Sequence, residues 1–216
     1  MQDYILELIF PTKCGICGKI CKGALCKKCN ILIKDYEINL IKNYENNKKI
    51  YFDESIHILR YDGIIRQKII EYKFQEKSYL YKTFSKIILK NEKAYGFLEK
   101  YDIIVPVPIH KKRKLIRGYN QTELIAKEIS KHINLKLEKN ILIKQKNVVS
   151  QSELNRNERE KNIKNAFIIK NLNSLINKNI LLFDDIYTTG NTVNECSKII
   201  RHAGASKVGV LTIAKD

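Results

Sequence analysis

Long apolar runs are missing from this chain, and no stretch approaches the 18 or more residues that a membrane-crossing helix requires. A basic leader is missing too. The opening MQDYILELIF carries Asp3 and Glu7 where a secretory signal would carry positive charge, so a cytoplasmic protein is expected. Its Ile5, Leu6 and Ile9 suit one face of a short helix. None of the nine glycines belongs to a G-x-x-x-x-G-K-[ST] loop, which excludes a P-loop nucleotide site. No internal repeat is visible, and aromatic stacking platforms for bases are not evident despite 12 tyrosines. Acidic residues are the minority: 23 stand against 40 Lys and Arg, a formal charge of +17 that favours polyanionic partners such as nucleic acid or phosphate-rich ligands. Lysine outnumbers arginine 33 to 7 beside abundant Ile and Asn, a pattern that an AT-rich genome also produces, so charge alone does not single out a nucleic acid.

What is present is a chain of 216 residues with 44% apolar content, enough for one medium domain with a real core and a small appendage. Five of its six cysteines crowd into CGICGKICKGALCKKC, residues 14 to 29. Cys14 and Cys17 form one Cys-x-x-Cys, and Cys26 and Cys29 form a second after eight intervening residues. Each pair can present two thiolates from one tight turn, helped by Gly15 and Gly18, and two facing turns complete a tetrahedral four-sulfur zinc site. Disulfides are disfavoured in the expected compartment, and a redox Cys-x-x-Cys would not need a second pair. Cys21 is either a substitute ligand or a free thiol, and Cys196 reads as a small buried hydrophobe. A closed four-thiolate site is structural rather than catalytic, and metal binding would supply much of the folding energy of so small a module.

Beyond a polar stretch around residues 42 to 49, strands and helices alternate. ESIHILRY, DIIVPVP, NKNILLFDD and KVGVLTIA read as strands. DGIIRQKIIEYKF has apolar residues at Ile64, Ile65, Ile69, Ile70 and Phe74, a helical spacing, residues 79 to 90 form a second helix, and NQTELIAKEISKHI is amphipathic with Leu124, Ile125, Ile129 and Ile133 inward. NTVNECSKIIRHAG is a helix ended by Gly204. The order predicts an α/β fold, a parallel sheet flanked by helices, divided as 1–48 (helix plus ribbon) and 49–216 (main domain).

Within the main domain, ILLFDDIYTTGNTV is the most informative stretch. A buried strand, Ile180 to Phe183, delivers Asp184 and Asp185 to the carboxyl end of the sheet, where open α/β folds bind ligands. Thr188, Thr189, Gly190, Asn191 and Thr192 then join strand to helix and offer backbone N–H groups, hydroxyls and the positive helix end to a phosphate. A ribose 5-phosphate fits, with its phosphate in the turn and its hydroxyls on the carboxylates. Because side chains alternate along a strand, one aspartate is expected to dominate the ribose contact and the other to be partly structural. A plain helix cap is the competing reading.

These residues resemble the ribose-phosphate signature of type I phosphoribosyltransferases, which use 5-phosphoribosyl 1-diphosphate. Taken in order, the N-terminal helix, the double Cys-x-x-Cys ribbon, RKLIRGYNQTELIA, QSELNRNEREKNIKNAF and HAGASKVGVLTIA make the whole chain resemble the ComF family, phosphoribosyltransferase-like proteins associated with DNA uptake in natural transformation; only Cys21 departs from its four-cysteine ribbon. The resemblance implies a type I phosphoribosyltransferase-like fold with a zinc ribbon, structural Zn2+, and Mg2+ brought with phosphoribosyl diphosphate. It implies that VPVPIHKKRK holds the diphosphate through Arg113 and Arg117, with charge added by Lys111, Lys112 and Lys114, and with Lys73 as a further phosphate contact. Asn120 and Gln121 could be cap or ligand residues, and His110 a substrate contact. Gln151, Arg159 and Asn162 match the family's Q-x-x-L-x-x-x-x-R-x-x-N, in a segment that would act as a lid and bring Arg159 to the leaving group. If the chain is an enzyme, diphosphate leaves the anomeric carbon through an oxocarbenium-like state while Asp184 and Asp185 hold the ribose. No residue selects a purine or a pyrimidine acceptor. The rival expectation is therefore a non-catalytic competence factor that binds single-stranded DNA or DNA-uptake proteins and keeps the site as a sensor.

Overall fold

The computed structural model describes residues 11–44, 49–145, 166–170 and 174–216. Its centre is a six-stranded sheet in the order β1-β2-β8-β7-β3-β4, where β1 is Glu37–Asn43, β2 Glu54–Arg60, β3 Ile103–Pro106, β4 Lys136–Leu137, β7 Asn179–Tyr187 and β8 Lys207–Lys215. Only β1 runs antiparallel to its neighbour; the other four pairings are parallel. Central parallel strands are covered on both faces and need apolar side chains at successive positions rather than at alternate ones. The sequence obliges: Ile180 to Phe183 and Val208, Val210, Leu211 and Ile213 are fully buried.

One face of the sheet carries α2 (Gly63–Phe74), α3 (Leu80–Lys90) and α6 (Gln121–Ser130), whose Ile65, Ile69, Tyr72, Phe84, Ile125 and Ile129 share a core with Leu181 and Phe183. The opposite face carries α7 (Asn191–His202), whose Val193, Cys196 and Ile200 pack with Ile180 and Leu182. A two-stranded antiparallel sheet, β5 (Leu142–Lys144) and β6 (Phe167–Ile169), joins this second core. The expected parallel sheet between helices is thus what forms, and α7 does end with Gly204 in the left-handed region at φ 92°. Two short helices, α4 (Glu92–Leu98) and α5 (Lys111–Arg117), were not anticipated. Phe74, the last of the apolar residues in that spacing and the last residue of α2, is 72% exposed, with the Arg117 guanidinium 5.4 Å from its ring centre.

The cysteine ribbon docks on the main core. Lys13 and Ile20 form an antiparallel bridge around the first turn, and α1 (Lys27–Lys34) begins at the second pair, with the thiol of Cys26 capping it. Cys14, Ile16, Leu25, Cys29 and Ile33 lie in the same apolar cluster as Leu80, Phe84 and Ile87 of α3. Thr83 Oγ1 donates to the Ala24 carbonyl at 2.9 Å. A Cβ on Gly15 would run into Thr83 and come within 2.7 Å of Leu80 Cδ2, so glycine is required there by close approach. The expected division at residue 48 falls between β1 and β2, two strands paired to each other. Among the described residues no helix is long and apolar enough to cross a membrane. The N-terminal ten residues and the segment holding Gln151, Arg159 and Asn162 lie outside the described residues.

Candidate functional site

The site follows from topology. β3 pairs with β7 only as far as Pro106 opposite Phe183, after which the chain turns away through Pro108 into α5. β7 continues past that point, paired with β8 alone, so Asp184 to Tyr187 border an open crevice. β3 leads through α6 on one face towards β4, and β7 leads through α7 on the other face towards β8. Neighbouring strands whose connections depart to opposite sides define the switch point at which open α/β sheets bind ligands.

A cleft of about 440 Å³ occupies this place and brings together, as lining, Lys73, Arg113, Arg117, Asp184, Asp185 and the whole turn from Thr188 to Thr192. Both aspartates lie within the strand and, as the alternation of side chains requires, point to opposite faces. Asp185, 5% exposed, turns towards α2 and α6; its Oδ1 lies 2.8 Å from Lys73 Nζ and its Oδ2 accepts from Gln121 Nε2 at 2.7 Å. Asp184 turns towards α7 and accepts from the Asp185 backbone N–H at 2.8 Å. Burial, and next the charge of Asp185, push the Asp184 carboxyl up to about 7.

Gly190 holds φ 77° immediately before α7, and the space a Cβ would need is filled by the Tyr187 ring, with Cζ at 2.7 Å. Its residue type is therefore fixed twice, by backbone conformation and by crowding. Gly190, the N-cap of α7, makes no side-chain cap, and the start of α7 opens on the cleft. On the far wall, α5 supplies Arg113 and Arg117. Desolvation lowers the Arg117 pKa while Asp185 raises it, and its guanidinium donates to Gln121 Oε1. Four cationic side chains and three carboxylates line the cleft, a balance suited to a multiply charged anion that also carries hydroxyls.

Other expectations separate. Asn120 is a cap, accepting from the Thr122 N–H while donating to the Val107 carbonyl. His110 caps α5, and Lys114 pairs with Glu123 at 3.1 Å. Sequence reasoning missed Lys144, which β5 places in the cleft wall with its pKa lowered by burial and by Arg113. A lone lysine on a short strand carries no local signal; only the pairing of β5 with β6 puts it there.

The second cluster is Cys14, Cys17, Cys26 and Cys29, whose sulfurs all lie within 4.8 Å of one another, with Cys17 and Cys26 3.9 Å apart. A tetrahedron with Zn–S bonds near 2.3 Å sets its sulfurs about 3.8 Å apart, so the cluster is compatible with zinc. Burial opposes ionisation of Cys14, yet backbone donors at Cys17, Cys26 and Ile16 bring it down to about 6. Cys29 is driven upward by burial and by hydrogen bonds from its three partners. Four crowded thiols cannot all ionise without a cation among them. Cys21 stands apart, its thiol directed at the Gly23 carbonyl at 3.0 Å.

Fold and clusters together define an α/β protein with a cleft of basic and acidic side chains at the switch point and a four-thiol ribbon. Comparison with known proteins makes this more specific. No family model matches the chain. Competence protein ComFC of Streptococcus pneumoniae strain R6 is 30% identical over 216 residues, spanning 99% of this chain and 85% of that protein. Competence protein F of Haemophilus influenzae strain Rd is 28% identical over 211 residues, covering 91% and 92%, respectively. DNA utilization protein YhgH of Escherichia coli O6:H1 is 22% identical over 207 residues, covering 94% and 89%. The chain belongs to the ComF family. Among solved structures it is similar to the glutamine phosphoribosylpyrophosphate amidotransferase of Bacillus subtilis complexed with ADP and GMP, with a TM-score of 0.41 and 18% identity; the match covers 61% of this chain and a quarter (25%) of that one.

Proposed function

We propose that the cleft binds 5-phosphoribosyl 1-diphosphate together with magnesium, and that the protein serves DNA uptake in natural transformation. The single observation behind the ligand is the meeting, in one crevice, of an acidic strand end, an uncapped helix start at Gly190 and a basic wall. In this reading the turn from Thr188 to Thr192 takes the 5-phosphate, Asp184 accepts from the ribose hydroxyls, and Arg113, Arg117 and Lys144 face the diphosphate. Asp185 holds Lys73 and Gln121 in place rather than touching the sugar directly. Magnesium would arrive with the diphosphate and would supply charge neutralisation there. Of the expected catalytic set Asp184, Asp185 and the lid residue Arg159, Asp184 and Arg159 are proposed to act on the substrate if pentosyl transfer occurs, with Asp185 as a positioning residue. The ribbon is proposed to hold structural zinc through Cys14, Cys17, Cys26 and Cys29. The role in DNA uptake draws on the names of the relatives and on the basic charge.

The test is calorimetric titration of the purified protein with phosphoribosyl diphosphate and magnesium beside an Asp184→Asn, Asp185→Asn double variant. Saturable binding by the parent alone is expected; a parent that releases no binding heat and shows no ligand-induced stabilisation overturns the proposal.

A second reading, a non-catalytic factor that binds single-stranded DNA or partner proteins, draws on α5, a helix with no buried residue whose Leu115 and Ile116 are 83% and 85% exposed amid Lys111, Lys112 and Lys114. DNA binding of this kind weakens steeply with salt and on neutralising those three lysines; salt-independent binding would remove this reading.

A further inference from the structure

Resting on the phosphoribosyl diphosphate reading, we infer that Gln121 is a positioning residue that ties the diphosphate-facing Arg117 to the acidic end of β7, so that the two halves of the cleft act as one. The side chain is 5% exposed and sits between two ions of opposite sign. Its Nε2 donates to Asp185 Oδ2 at 2.7 Å, and its Oε1 accepts from the Arg117 guanidinium. The orientation of the amide is dictated by its neighbours: a carboxylate can only accept and a guanidinium can only donate. A glutamate at 121 would face Asp185 with no donor to offer, and a methionine could serve neither partner.

The surrounding turn has the same purpose. Residues 117 to 121 hold Tyr72 and Phe74 at the end of α2. Tyr72 donates its hydroxyl to the Gln121 carbonyl at 2.8 Å, and the Tyr119 hydroxyl donates to the Tyr72 carbonyl. The Tyr72 and Tyr119 rings stack with centroids 5.6 Å apart. Arg117 lies over Phe74, and Lys73 reaches Asp185. A chain of charge-assisted contacts, Lys73 to Asp185 to Gln121 to Arg117, therefore crosses the floor of the cleft. Through it, an anion that draws Arg117 forward also pulls on the amide that holds Asp185, and the neighbour Asp184 shares that backbone. Hydrogen bonds to ions are the strong ones, and loss of one partner leaves the other buried and unpaired.

The experiment is a double-mutant cycle on the full chain. Binding of phosphoribosyl diphosphate with magnesium, and of inorganic diphosphate as the simpler probe, is measured for the parent, Arg117→Met, Gln121→Met and the double variant, with thermal midpoints recorded alongside. Gln121→Met is expected to weaken diphosphate binding about tenfold, and the double variant to be no weaker than Arg117→Met, because the inference has the amide act on the diphosphate through Arg117. A merely structural glutamine would lower the midpoint and add its loss to that of Arg117→Met; additive losses overturn the inference while leaving the ligand reading intact. A folded Gln121→Met variant with parental affinity overturns it equally. Should Gln121→Met fail to fold, Gln121→Asn, which keeps the amide but is one methylene too short to span both partners, replaces it in the cycle under the same criteria. A parent that binds neither probe overturns the ligand reading and the inference together.

Discussion

Replacing Asp184 by Asn should stabilise the protein at neutral pH and above, and the size of the gain can be worked from the site. Burial and Asp185 raise the Asp184 carboxyl from an ordinary value of 3.8 to about 7. A group whose folded pKa is raised contributes its full stability below the unfolded value and loses it as pH rises through the folded value. Charging this carboxylate in the folded chain therefore costs about 4 kcal/mol by pH 8, of which less than half is already present at pH 5. Asn keeps the oxygen that accepts from the Asp185 N–H and never ionises. The assay is urea unfolding of parent and Asp184→Asn at pH 5, 6, 7 and 8. The stability difference in favour of the variant should widen by about 2–3 kcal/mol across that range and level off above pH 7. Groups remote from Asp184 titrate alike in both proteins and cancel. A difference independent of pH, or a variant less stable than the parent at pH 8, refutes the reasoning. The same substitution should abolish ribose-phosphate binding, a site that trades stability for ligand.

Three further outcomes are expected. His57 is fully buried between Thr212 Oγ1 at 2.8 Å and Ser55 Oγ at 3.1 Å, and burial, then Lys215 and Lys42, lower its pKa to about 3; the unfolded chain takes up a proton below pH 6.5 that the fold refuses, so stability falls with pH by about 1.4 kcal/mol per unit between 6.5 and 3, and His57→Gln should flatten that limb in acid-unfolding curves. Gly15→Ala should destabilise by about 1–3 kcal/mol in thermal unfolding through its collision with Thr83 and Leu80, and a neutral effect would mean that the ribbon is not docked on α3. Metal analysis should find one zinc per chain, undiminished in Cys21→Ser, whose thiol points at Gly23, and lost in Cys17→Ser; loss in Cys21→Ser would reassign the ligand set.

Much of the fold was legible because apolar spacing reports burial directly. The run Ile180 to Phe183 is covered on both faces, and the cysteine pairs converge with sulfurs within 4.8 Å, since two-residue spacers confine each pair to one turn. The acidic pair and the Thr/Gly turn were legible for the same local reason: strand, ligand residues and helix start are contiguous in the chain. Phe74 shares the apolar spacing of α2 yet is exposed, because periodicity does not say where the sheet's cover ends. Lys144 carried no signal, because its place depends on β5 meeting β6, a pairing between segments more than twenty residues apart. Asn120 and Gln121 were left open between cap and ligand; neighbours in sequence, they part company only when α6 is set against β7, and then one caps a helix while the other bridges two ions.

By itself, then, the sequence determined the alternation of elements, the four-thiol cluster and the composition of the strand-end turn, all properties of residues close together along the chain. Tertiary structure alone decided which face each of the two aspartates takes, that Lys73, Gln121 and Arg117 assemble around Asp185, and that the ribbon shares the main core. Those facts depend on which elements pack against which, and buried charges and close approaches are set by the packed neighbours rather than by any local pattern.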